Sequence, residues 1–157
     1  MPISSSFNMK RRRVLGLVLV AGAIGTVGWR QLASAPPPEG TWLEVTEAHR
    51  KLQDGDLLLI DIRRPDEWAR TGVPLGAHPL DMRRDDFIAA LTAIAGDDRD
   101  RPIALICARG VRSARLGRQL AEAGFSTIID VPEGMLGSAA GPGWLARNLP
   151  TDARAGS

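Results

Sequence analysis

The chain of 157 residues holds one cysteine, and it heads the run Cys107-Ala108-Arg109-Gly110-Val111-Arg112-Ser113. An apolar segment precedes this run and a helical pattern follows it, which predicts a thiol at a strand end facing the mouth of a helix. At such a mouth the loop amides and the first unpaired N–H groups of the helix converge, so a negative charge on sulfur is solvated by fixed donors. Gly110 permits the tight backbone turn such a nest needs. Arg109 and Arg112 add positive charge within one short loop, a setting that favours the nucleophilic thiolate. A lone cysteine at a strand end is ordinarily an inert core residue. Its company here, a glycine and two arginines at a helix mouth, assigns it a reactive role instead.

Other chemistries find few residues. With a single cysteine no intrachain disulfide or resolving-thiol cycle is available. His49 and His78 have no ligand spacing with Cys107, so no metal site is expected. No Ser-His-Asp grouping is legible, and the proposed thiol chemistry requires no cofactor.

The elements that must hold the loop are legible around it. Residues 57–62 (LLLIDI), 103–107 (IALIC) and 127–131 (TIIDV) are continuous apolar runs, the pattern of strands buried on both faces of a parallel sheet. Helical segments are predicted over 46–53, 85–95 and 113–123, closing at Gly55, Gly96 and Gly124. In the last, Leu116, Leu120 and Ala123 form one apolar face. This alternation predicts an α/β fold, a small three-layer sandwich with a mainly parallel central sheet. Ligands of such sheets bind beyond the carboxyl ends of the strands, where the Cys107 loop lies. Asp61 and Arg63 also end a strand, where a carboxylate and a guanidinium can pair bidentately and brace neighbouring loops. Glu67 is placed to pair with Arg63 across one helical turn, and Trp68 reads as core. The charged run 97–101 reads as a solvated loop.

Charge is divided unevenly. The formal net charge is +2, but residues 1–35 hold five of the 20 bases and no acid, leaving the rest of the chain net negative. The body therefore carries no basic field of the kind that attracts nucleic acid. Residues 1–35 read as a signal peptide or N-terminal anchor: a cationic run ends at Arg13, an uncharged stretch spans 14–29, and Ala33-Ser34-Ala35 has the small-x-small form of a cleavage site. Pro36 fits poorly after a scissile bond, so both a cleaved form and an anchored form stay open. The expected location is outside the cytoplasm, in the periplasm, with membrane contact only through 14–29. A Pro-rich linker over 36–40 then leads into one domain, 41–150, followed by a short tail, 151–157.

The loop CARGVRS resembles the active-site loop of the rhodanese family of sulfurtransferases. The resemblance extends over about 42–150: LLLIDIRRPDEWARTGVPLGAHPLDM (57–82) is similar to that family's strand with Asp-x-Arg and a following Glu-aromatic pair. VPEGMLGSAAGPGWLARNLP (131–150) is similar to its closing Gly-rich turn, Trp and Leu-Pro. The resemblance implies a rhodanese-like fold in which Cys107 accepts sulfane sulfur as a persulfide. It implies that Ala108, Arg109, Gly110, Val111, Arg112 and Ser113 bind the substrate anion, with Asp61 and Arg63 in support. Implied partners are a small sulfur-donor anion, thiosulfate-like or a persulfide, and a thiol or cyanide acceptor, with a protein persulfide as a further partner. Arg109 and Arg112 are expected to steer a dianionic donor. Two departures mark the chain: Thr71-Gly72-Val73 stands where many members have Gly-His, and Glu133-Gly134 where many have Gly-Gly. Two other classes use similar parts. Cys-dependent phosphatases place one residue more between Cys and Arg than the four found here, and a binding or sulfur-carrier module of the same fold would dock a partner without catalysis.

Overall fold

Asp61 and Ile106 sit side by side as the last residues of two parallel strands, and that adjacency fixes where everything else converges. A computed structural model describes residues 42–153. The expected leader, its uncharged stretch 14–29, the linker 36–40 and the end of the expected tail, 154–157, lie outside the described residues. In chain order the described elements are α1 (Val45–Asp54), β1 (Leu58–Asp61), α2 (Pro65–Thr71), β2 (Val73–Pro74), β3 (His78–Pro79), α3 (Phe87–Ala95), β4 (Ile103–Ile106), α4 (Val111–Glu122), β5 (Ile128–Val131), α5 (Gly143–Ala146) and β6 (Thr151–Asp152).

Strands β3, β1, β4 and β5 form, in that order, a wholly parallel sheet. Both central strands, β1 and β4, are buried along their whole length, as their unbroken apolar sequence requires. Side chains alternate between the two faces. Leu58, Ile60, Ile103 and Leu105 meet Phe87 and Leu91 of α3 and Leu116 and Leu120 of α4. Leu59, Ala104, Ile106 and Val131 meet Val45 and Ala48 of α1 and Trp144 of α5. Helices thus cover both faces, which gives the three-layer α/β sandwich expected. Helices α1 and α3 stop where expected, at Gly55 (φ 78°) and Gly96 (φ 73°), each in the left-handed conformation and returning N–H groups to the last turn.

The boundaries differ in ways that matter at the site. The strands are shorter than the apolar runs: β4 ends at Ile106, so Cys107 is the first residue beyond the strand rather than its last. Hydrophobicity continues for a residue past the ladder because Cys107 still packs into the core below α4. Helix α4 starts at Val111, two residues before the expected Ser113. Its N-cap is Gly110 at φ 81°, a cap with no side chain to betray it in the sequence. Likewise α3 starts at Phe87 and not at residue 85, since Asp85 and Asp86 belong to the turn before it. Short strands β2 and β6 were not foreseen. Thr151 and Asp152, expected in the tail, pair antiparallel with Pro74 and Val73 and extend the fold past residue 150. The run 97–101 is exposed throughout, as expected. Among the described residues no helix is long and apolar enough to cross a membrane.

Candidate active site

The sheet reverses direction of growth at β1: the chain moves to β3 on one side, then to β4 and β5 on the other. Loops leaving β1 and β4 therefore part at their carboxyl ends and leave a crevice between them. Cys107 lies on the β4 side of it, and Asp61 and Arg63 on the β1 side.

Cys107 is 1% exposed. The Gly110 N–H donates to its Sγ at 3.2 Å, and the Ser113 Oγ lies 3.6 Å from the same sulfur. Ser113 Oγ donates to the Gly110 carbonyl at 3.0 Å, tying the first turn of α4 to the loop that precedes it. Of the expected cradle of amides, the one seen on the sulfur among the described residues is that of Gly110. Its conformation leaves no choice of residue. The backbone is left-handed, and a Cβ here would lie 2.3 Å from the Pro132 carbonyl oxygen. Gly134, at φ 67°, approaches the loop from the same side, where a Cβ would fall 2.6 Å from the Ala108 carbonyl oxygen. Met135 and Leu136 N–H groups then bond the Cys107 and Ala108 carbonyls at 2.9 Å each. The loop is clamped between its own helix and the turn after β5.

The remaining loop residues divide. Ala108 and Arg112 are half-buried, Gly110 and Ser113 buried, Arg109 exposed, and Val111 is 79% exposed. Arg109 donates to the Gly137 carbonyl at 3.2 Å. Arg112 makes a bidentate pair with Glu67, Nη1 to Oε2 at 2.8 Å and Nη2 to Oε1 at 2.7 Å. Of the two arginines expected to steer a dianionic donor, Arg112 is paired with a carboxylate, whereas Arg109 meets only a backbone carbonyl, which leaves its charge unneutralised. The expected Glu67–Arg63 side-chain pair is corrected: Arg63 reaches only the Glu67 carbonyl, at 3.4 Å. Arg63 turns inward because a nearer carboxylate, Asp61, lies beside it.

Arg63 and Asp61 form a pair that is 1% and 0% exposed. Nε bonds both carboxylate oxygens at 2.9 and 3.0 Å, and Nη2 bonds Oδ2 at 2.7 Å. The outer N–H groups go to the Gly72 carbonyl at 2.7 Å, the Thr71 Oγ1 at 2.8 Å and the Glu67 carbonyl. Thr71 and Gly72 are at the end of α2 and Glu67 is in its first turn, so the pair anchors that helix and with it Glu67. Trp68 is buried, as expected.

Glu67 does two things at once. Its Oε2 accepts the Arg64 N–H at 3.0 Å, capping α2, and the same carboxylate holds Arg112. The hydrogen bonds from Arg112 lead the causes that hold its carboxyl at about 2, well below the ordinary 4.5, against an opposing effect of burial and with help from the Arg64 N–H. Arg112 is raised in turn, first by Glu67, with the Cys107 sulfur contributing. An open cleft of about 360 Å³ begins beside it, lined by Arg64, Glu67, Met82, Arg83 and Arg112.

Sequence reasoning missed three polar residues. Glu133, 1% exposed, accepts the Gly143 N–H at 3.0 Å and faces Arg147 at 3.4 Å, bracing the turn that clamps the Cys107 loop. The departure from Gly-Gly was its signal. Asp130 sits inside an apolar strand; burial pushes its carboxyl up, opposed by the Ser113 hydroxyl. Arg83, chelated by Asp81 at 3.0 and 3.1 Å, lines the cleft although nothing in its sequence context marks it.

Comparison with known proteins bears on this geometry. The rhodanese-like domain model matches residues 44–139. The putative sulfurtransferase YtwF of Bacillus subtilis (strain 168) is 32% identical over 83 residues, 53% of this chain and 74% of that protein. The adenylyltransferase and sulfurtransferase MOCS3 of Drosophila persimilis is 39% identical over 69 residues, 43% of this chain; the match spans 15% of the length of that relative. Among solved structures, the 30 kDa polysulfide-sulfur transferase homodimer from Wolinella succinogenes superposes with a TM-score of 0.57 at 31% identity, over 71% of this chain and 77% of that one.

Two outcomes follow from the site geometry. Gly55→Ala meets no atom within 4 Å and is strained only by its φ of +78°, so it should cost about 1–2 kcal/mol. Gly110→Ala adds a backbone clash to the same strain and should lower the urea midpoint clearly further. The second outcome concerns acid. A carboxyl whose folded pKa lies below its unfolded one contributes stability above the unfolded value and loses it as pH falls toward the folded value. For Glu67 that window runs from about 4.5 down to about 2. Wild type should therefore exceed Glu67→Gln in stability at neutral pH, and the gap in urea midpoint should narrow across that window; a constant gap would contradict the assignment.

Proposed function

The chain belongs to the rhodanese-like domain family, and we propose that it is a sulfurtransferase that carries sulfane sulfur on Cys107. The observation that carries this reading is the sulfur itself: the single thiol lies at the N-terminus of α4, with the Gly110 N–H at 3.2 Å and the Ser113 hydroxyl beside it. An amide so fixed costs no reorganisation when charge gathers on sulfur.

Two half-reactions balance. The Cys107 thiolate attacks the outer sulfur of a thiosulfate-like or persulfide donor, a new S–S bond forms, and the donor's S–S bond breaks with its electron pair leaving on sulfite or a thiolate. An acceptor thiolate or cyanide then attacks the outer sulfur of the Cys107 persulfide, yielding a new persulfide or thiocyanate and restoring the Cys107 thiolate. Splitting one transfer into two displacements through a covalent intermediate is the general gain of nucleophilic catalysis, and its kinetic mark is ping-pong behaviour. Because Cys107 is 1% exposed, a donor must present a slim terminal sulfur end-on. A protein persulfide with a protruding cysteine satisfies this as well as a small molecule does.

We propose separately that the domain lies outside the cytoplasm. What supports it is the order of the cationic run ending at Arg13, the uncharged stretch 14–29 and the small residues Ala33 and Ala35.

Each half of the proposal has its measurement. Intact mass after exposure to a sulfur donor should increase by one sulfur atom in wild type and not in Cys107→Ser. Ping-pong sulfur transfer should vanish with it while the urea midpoint changes little; retained turnover in that variant would overturn the mechanism. Fractionation of cells producing the full chain should find the domain in the periplasmic or membrane fraction, and full-length protein confined to the cytosol would overturn export.

A further inference from the structure

The cleft that begins beside Arg112 carries three arginines, yet each is committed. Arg64 lies 3.2 Å from Asp66 and 3.3 Å from Glu67, Arg83 is chelated by Asp81, and Arg112 is held bidentately by Glu67. The pairs are not equivalent. Arg64 and Arg83 are 45% and 61% exposed, where ion pairs contribute little and open readily. Arg112 and Glu67 are 31% and 12% exposed and share two short hydrogen bonds, so their pair is the persistent one. Arg112 also stands in the first turn of α4, next to Ser113, whose Oγ lies 3.6 Å from the Cys107 sulfur.

Consider what each donor class brings to that point. In thiosulfate the attacked sulfur is bonded directly to a sulfonate, so the leaving group places two negative charges one bond away from the forming S–S bond, beside Arg112. Sulfite departs with both. A persulfide brings one sulfur and a carbon there, and releases a singly charged thiolate. A cleft meant for the dianion needs a free guanidinium at this position. Here that guanidinium already neutralises a carboxylate, and a Glu67 held ionised would face the incoming sulfonate. Met82 supplies a polarisable, uncharged wall in the same cleft, suited to a chain of sulfur and carbon.

We propose that Glu67 is a specificity-determining residue: by occupying Arg112 it turns the site away from dianionic donors and toward persulfides. The inference rests on the sulfurtransferase reading above and narrows its donor. Glu67 acts through Arg112, so it is a positioning residue, and a charge-neutral substitution should release the guanidinium to the substrate.

The test uses the full chain as wild type, Glu67→Gln and Glu67→Asp. Cys107 loading is followed in a single turnover, by quenching and intact mass, over a range of thiosulfate or cysteine persulfide. Wild type should load faster from the persulfide at equal concentration. Glu67→Gln should raise the thiosulfate efficiency roughly tenfold, about the worth of one charge-assisted hydrogen bond, through a lower half-saturating concentration, with little change for the persulfide. Glu67→Asp should return the donor ratio toward wild type. Wild type loading equally well or better from thiosulfate would overturn the inference and leave the sulfurtransferase reading standing. So would a Glu67→Gln variant that changes both donors by the same factor, as a purely structural role predicts. Loading from neither donor would overturn the sulfurtransferase reading itself.

Discussion

Arg63 is a guanidinium carried almost entirely out of water, and the geometry of the crevice depends on how that is tolerated. Burying an ion costs several kcal/mol unless its partner and its remaining hydrogen bonds are supplied in good geometry. Asp61 supplies the counter-charge, and Gly72, Thr71 and Glu67 supply acceptors for the N–H groups that face away from it. The guanidinium fork is rigid, so satisfying its donors together fixes the position of the end of α2 relative to the end of β1. Lysine carries the same charge and no fork, and would leave the helix unanchored. The pair is therefore a device of position more than of attraction.

Position is then transmitted by contact. Anchored α2 presents Glu67, Glu67 holds Arg112, and Arg112 belongs to the first turn of α4, whose N-cap glycine touches the sulfur. From the other side, the turn after β5 bonds the Cys107 and Ala108 carbonyls and comes so close that only glycine fits at 110 and 134. The thiol is gripped from both flanks of the crevice. A loop so constrained cannot widen easily, which suits a cradle that admits a single sulfur.

Much of this was legible in the sequence, and the limits have physical causes. The continuous apolar runs revealed a parallel sheet because strands buried on both faces have no polar alternation to preserve. Cys107, Asp61 and Arg63 stood out because their types are unusual at strand ends. Pairing was less legible. Arg63 and Glu67 have helical spacing, and spacing alone favoured joining them; the choice of Asp61 is made by burial, which spacing does not encode. Arg112 and Glu67 are 45 residues apart, and only the parallel adjacency of β1 and β4 brings them together. The start of α4 was misplaced because its cap is a glycine, whose signal is a backbone angle and not a side chain. Glu133 and Asp130 escaped for a related reason: an acid in an apolar or glycine-rich segment reads as a surface residue until its burial is seen.

The charge arrangement at the crevice alters what arginine content means for such a site. Counting guanidinium groups near Cys107 suggests an electropositive funnel, and the sequence invites that count. In the folded chain the carboxylates of Glu67, Asp66 and Asp81 stand against Arg112, Arg64 and Arg83, and these three pairs offset one another in charge. What remains is local and directional. Steering by a net field accelerates capture of any anion and fades with salt. A guanidinium committed to a carboxylate discriminates instead, because a substrate engages it only by replacing an interaction already made. A dianion gains most from a bare cation and so loses most when the cation is occupied, whereas a donor that leaves as a single thiolate depends chiefly on the fixed Gly110 amide and the end of α4. On the proposed reading, the same two residues that hold the helix mouth in place would also set which leaving group the mouth accommodates.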